Sequence, residues 1–139
     1  MLTAHDDALL AMRPTIAADL PPEPEATVGD FQHRTLRPVL KLQNEALLRA
    51  VASFLRNHHV PFATALPELQ ARCLTELLGR NVKLRYTIIG LVAGLFTSAE
   101  MTFYDQHRAE LNRRLLELAQ RRALDQAAAI ADLLASWQN

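Results

Sequence analysis

Residues 35–57 read TLRPVLKLQNEALLRAVASFLRN. Leu36, Leu40, Leu47, Val51, Phe54 and Leu55 recur at three- and four-residue spacings, the period at which side chains return to one face of an α-helix. Thr35 suits the N-cap, and Pro38 then falls in the first turn, where no intrahelical N–H bond is lost. The helix is expected to stop near Asn57–His59, just before Pro61. Gln43 falls on the apolar stripe and directs an amide toward the core.

The pattern continues downstream. From Pro67, the residues Leu69, Cys73, Leu74, Leu77 and Leu78 make a second apolar face, and Gly79 is expected to end it as a left-handed cap. The segment from Val82 to Phe96 is the most apolar, with Tyr86, Ile88, Ile89, Leu91, Val92, Leu95 and Phe96 on nearly every side. That distribution predicts a helix at the centre of the domain. Gly90 and Gly94 stand four apart, and the spacing predicts close approach of another helix, within the chain or from a second copy. Thr97-Ser98-Ala99-Glu100 has the form of a capping box. The helix it opens meets no Gly or Pro before Asn139. Unbroken, it would be about 60 Å long, so it either bends near Arg121–Gln126 or projects onto another chain.

Upstream, residues 1–30 differ in composition. They hold Pro14, Pro21, Pro22 and Pro24, and six acidic side chains against the single Arg13. A short helix near Asp6–Met12 fits, followed by an extended Pro-Pro-Glu-Pro arm. Residues 31–60 carry the opposite sign, with five basic side chains against Glu45. The acidic arm is expected to lie along this basic helix, in the same chain or a neighbour. The predicted architecture is all-α: a compact bundle of four main helices in residues 31–139, with an acidic, Pro-rich arm over 1–30 and a long C-terminal helix.

Composition narrows the function classes. The chain has 139 residues, half of them hydrophobic, enough for one core without disulfides. Fifteen basic residues balance fifteen acidic ones. That balance argues against a non-specific grip on nucleic acid or anionic membrane, and leaves little repulsion between copies. A homo-oligomer is therefore the expected partner state. Residues 1–20 lack the basic start and apolar run of a secretory signal, and the run Ile88–Phe96 falls short of a bilayer span, so the expected location is cytoplasmic.

No catalytic, cofactor or metal motif emerges. Cys73 is the only cysteine and lies on an apolar stripe, which suits an inert core thiol. His58 and His59 are adjacent, so on a helix they point about 100° apart. They suit the negative end of a helix dipole better than a metal. Asp105, Glu110 and Glu117 with Arg108, Arg113 and Arg114 read as a solvated, ion-paired face.

Three runs are distinctive: FQHRTLRPVLKLQN at 31–44, IGLVAGLFT at 89–97 and ELNRR at 110–114. Over about residues 31–122 they resemble a group of short, uncharacterised, all-helical bacterial proteins, some labelled glyoxalase. Metal-dependent glyoxalases of the common type are built from βαβββ modules with His and Glu ligands on strands. This sequence offers neither, so no active site is carried over. Among the residues that make the resemblance, Arg37, Gln43, Asn44 and Asn112 could build a buried polar network or line a pocket between helices. Two readings follow: a self-associating helical interaction protein, or a helical domain that binds a small molecule or cofactor.

Overall fold

The computed structural model describes residues 2–14 and 27–137. Among these, every regular element is helical. The elements are α1 (Ala4–Met12), α2 (Val28–Phe31), a π-helical turn (Gln32–Leu36), α3 (Arg37–Leu42), α4 (Asn44–Asn57), α5 (Pro67–Arg80), α6 (Val82–Ala93), α7 (Ser98–Gln106), α8 (Arg108–Asp125) and α9 (Ala127–Ser136). Helices α4, α5, α6 and α8 pack together as the core, and α9 folds back across α4. No helix among the described residues is long and apolar enough to cross a membrane.

The stripe read from the sequence is the core face of α3 and α4. Leu36, Leu40, Leu47, Val51 and Leu55 are all buried. The helical run starts eight residues earlier than expected, however. Thr27 is the cap, its Oγ1 accepting the Asp30 N–H at 3.1 Å. Thr35 lies inside the π-helical turn and is fully buried. The reason is Pro38. Proline has no N–H to donate and its ring crowds the carbonyl four residues back, so the regular ladder fails here. The wider turn absorbs the mismatch, with the Arg37 N–H reaching the Gln32 carbonyl.

Gly79 does not cap α5. It sits inside the helix, and no described glycine has a positive φ. Asn81 joins α5 to α6 instead, its Oδ1 accepting the Leu84 N–H at 2.9 Å. The left-handed position is His59, with φ 57°, just beyond the end of α4. His58 donates from Nδ1 to the Phe54 carbonyl at 2.8 Å, so it satisfies one of the acceptors that a helix end leaves open.

The C-terminal helix is not continuous. It breaks at His107 and again at Gln126, whose backbones leave the helical region at φ −128° and −119°. The second break falls in the window where a bend was expected. Neither involves Gly or Pro, so tertiary packing must favour them. A straight rod would carry Ile130 and Leu134 into water, whereas the break lets both bury. The capping box is present as read: Thr97 Oγ1 accepts the Glu100 N–H, and Glu100 Oε1 accepts the Thr97 N–H at 2.8 Å.

Candidate functional site

The four polar residues singled out from the sequence do not converge on one cavity. Gln43, at the junction of α3 and α4, donates Nε2 to the Leu91 carbonyl of α6 at 2.9 Å. Asn112 accepts from the Tyr104 hydroxyl across the α7–α8 break. These two side chains are occupied by the packing of neighbouring helices. Arg37 and Asn44 gather elsewhere, where α3, α4 and the α8–α9 break meet.

At that junction Asn44 and Gln126 form a reciprocal amide pair. Asn44 Nδ2 donates to Gln126 Oε1 at 2.7 Å, and Gln126 Nε2 donates to Asn44 Oδ1 at 2.8 Å. Gln126 Nε2 also reaches the Arg122 carbonyl at 3.0 Å, an acceptor at the end of α8. Arg122 donates Nη1 to Asn44 Oδ1 at 3.2 Å. Beside this brace is a cleft of about 360 Å³ lined by Arg37, Arg121, Arg122, Asp125 and Gln126. Burial, and then the charge of Arg37, push the Arg122 guanidinium below the ordinary arginine range.

Helix α1, within the described part of the acidic N-terminal segment, engages a surface other than the basic helix. Residues 15–26, which include the Pro-Pro-Glu-Pro arm, lie outside the described residues. Helix α1 docks on the start of α7, not on the basic helix. Arg13 donates Nη1 and Nη2 to the two carboxylate oxygens of Glu100, each at 2.6 Å, and Nη2 also reaches the Leu95 carbonyl at 3.0 Å. Thr35 Oγ1 donates to Glu100 Oε2 at 2.9 Å. Asp6 accepts from the Ser98 N–H at 2.8 Å and from the Ser98 hydroxyl at 3.2 Å.

Burial works to raise the Glu100 carboxyl, but hydrogen bonds from Arg13, the Thr97 backbone and Thr35 outweigh it and hold the group below its ordinary value. The backbone N–H groups of Ser98 and Thr3 hold Asp6 low as well. Part of this contact was accessible to sequence reasoning. Thr3-Ala4-His5-Asp6 has the same capping-box form as residues 97–100. The pairing of Arg13 with Glu100 leaves no local pattern.

The most apolar helix is only half enclosed. Leu84, Ile88 and Val92 of α6 face the core. Its other side carries Val82, 63% exposed, and Tyr86, 68% exposed, with Gly90 and Gly94 also open to solvent. The prediction that another helix of this chain approaches the two glycines is therefore corrected. A Cβ built at Gly90 meets nothing within 4 Å, while one at Gly94 meets the Gly90 carbonyl oxygen at 2.8 Å. Gly94 is thus explained by its own helix end, and Gly90 by nothing in the chain.

Cys73 is partly buried against the core. Among the described residues no group of three or more His, Cys, Asp and Glu side chains is arranged to hold a metal. No protein-family model, curated protein or solved structure matches this chain.

Proposed function

We propose that this chain is a helical interaction protein that associates with a second copy of itself through the exposed face of α6. The observation that carries the reading is Gly90. A glycine in a helix interior costs about 0.5–1 kcal/mol relative to alanine. Here the space for a methyl group is open, so the fold itself supplies no reason for that cost. Close approach of a helix from outside supplies one.

The face is also self-complementary. In an antiparallel pairing centred on Gly90, each Tyr86 stands opposite Gly94 of the other copy, a large ring against the smallest residue. A two-fold pairing needs such a patch, since both copies present the same surface. The balanced net charge adds no repulsion at neutral pH.

Light scattering at micromolar concentrations tests the reading. The wild-type mass is expected to approach two chains as concentration rises, and Tyr86→Glu is expected to hold it at one. Tyr86 is exposed in the single chain, so the variant keeps its fold, checked by circular dichroism. A wild-type mass of one chain throughout, or a Tyr86→Glu dimer as stable as wild type, overturns the reading.

A further inference from the structure

We propose that the cleft between α3 and the α8–α9 break binds a small organic phosphate, with Arg37, Arg121 and Arg122 on the phosphate group. This goes beyond self-association and does not depend on it.

The contrast along α8 carries the argument. Arg113 and Arg114, in the first half of the helix, are neutralised by Glu110 and Glu117 one turn away, and Arg108 pairs with Asp105 just before the helix begins. Arg121 and Arg122, in its last turn, have no carboxylate within ion-pair distance among the described residues. A third cation arrives from another element, Arg37 at the start of α3, and lines the same cleft. The only carboxylate lining it is Asp125, which pairs with none of the three. Cations in the last turn of α8 interact favourably with its dipole. That accounts for Arg121 and Arg122 but not for Arg37, which comes from a different helix and faces like charge.

Arg122 is, moreover, partly buried and oriented by Asn44, so one of the three forks is already held in place. The excess positive charge at the cleft is met by a group that carries more than one negative charge. Guanidinium forks match phosphate geometry through paired N–H donors. The volume of about 360 Å³ sits at the small end of ligand pockets, which limits the occupant to a small molecule. Leu118, partly exposed on the cleft wall, adds an apolar contact for the organic part of an ester, so a phosphate monoester fits better than the bare ion.

Titration with phenyl phosphate and with inorganic phosphate, at ionic strength matched with sodium chloride, tests this by the arginine Nε–H signals in nuclear magnetic resonance. Phenyl phosphate is expected to saturate at one per chain with a submillimolar Kd, more tightly than inorganic phosphate. Arg37→Gln and Arg122→Gln should each weaken it by about tenfold, the loss of one charge-assisted hydrogen bond. Arg108→Gln, which removes an arginine outside the cleft, should bind as wild type. Arg37 is exposed, so Arg37→Gln keeps the test valid if Arg122→Gln fails to fold. Three results overturn the proposal: no saturable binding of either probe, equal binding by Arg37→Gln and wild type, or tight binding of a single-stranded oligonucleotide with none of phenyl phosphate.

Discussion

Arg13 and Glu100, 87 residues apart in the chain, meet end-on through Nη1 and Nη2, with two hydrogen bonds of 2.6 Å. Both side chains are 8% exposed. Helix α1 buries only one apolar side chain, Leu9, together with Asp6, while Leu2, Leu10 and Met12 remain open to water. Polar anchors, not apolar area, therefore hold this helix down.

The first prediction follows from that imbalance. Removing one partner of a buried ion pair is costly because the other is left buried and unpaired. Here α1 can lift and let water reach Glu100, which lowers the cost to about 2–3 kcal/mol. Arg13→Ala is expected to strip hydrogen-exchange protection from the amides of residues 4–12 while α4 and α8 keep theirs. Unchanged protection of α1 in this variant would show that Leu9 and Asp6 suffice.

The same contact sets a pH dependence. The carboxyls of Glu100 and Asp6 lie below their ordinary values of 4.5 and 3.8 in the folded chain. The folded state therefore binds fewer protons than the unfolded state in this range. Its advantage is complete above the ordinary values and is lost as pH falls through them toward the folded ones. The urea midpoint should fall between about pH 5 and about pH 3, with α1 losing protection first. Glu100→Gln cannot titrate at this position, so its midpoint should change less over the same interval. An equal slope in that variant would place the titration elsewhere.

The helices were legible where periodicity and capping act locally. The stripe from Leu36 to Leu55 and the box at Thr97–Glu100 rest on neighbours three or four residues apart, which a sequence displays directly. The π-helical turn was not, because the cost of Pro38 can be met either by starting the helix there or by widening a turn, and only the burial of Thr35 against Glu100 decides between them. The break at His107 has no Gly or Pro to announce it. The candidate site was half legible. Arg37 and Asn44 come together with Arg122 and Gln126, whereas Gln43 and Asn112 were drawn away by a backbone carbonyl of α6 and by the Tyr104 hydroxyl. Such choices depend on which helices become neighbours, and no single stretch encodes that.

Gly90 separates the stability of one chain from that of the pair. Alanine fits at this position without a clash and restricts the unfolded chain. Gly90→Ala should thus raise single-chain stability by about 0.5–1 kcal/mol. The added methyl would also hold a second helix away, so the dimer should weaken. Urea unfolding at low concentration reads the first effect and sedimentation reads the second. A variant that is both more stable and equally dimeric would remove Gly90 from the interface.

Asn44 and Gln126 hold the second break, and Trp137 reports on it. Trp137 is the only tryptophan. It follows α9 directly and carries Arg56 of α4 over its ring at 4.7 Å, so its emission reads whether α9 lies against α4. Asn44→Ala removes both bonds of the amide pair and the acceptor for Arg122, while the helix itself tolerates alanine. Leaving those partly buried groups unpaired should cost about 1–3 kcal/mol, and loosening of α9 should shift Trp137 emission to longer wavelength. Asn44→Asp keeps an acceptor for Arg122 and for Gln126 Nε2 but loses the donor to Gln126 Oε1, so it should fall between wild type and Asn44→Ala on both measures. If Asn44→Ala leaves the emission and the unfolding midpoint unchanged, the burial of Ile130 and Leu134 alone keeps α9 folded back, and the amide pair follows the break without causing it.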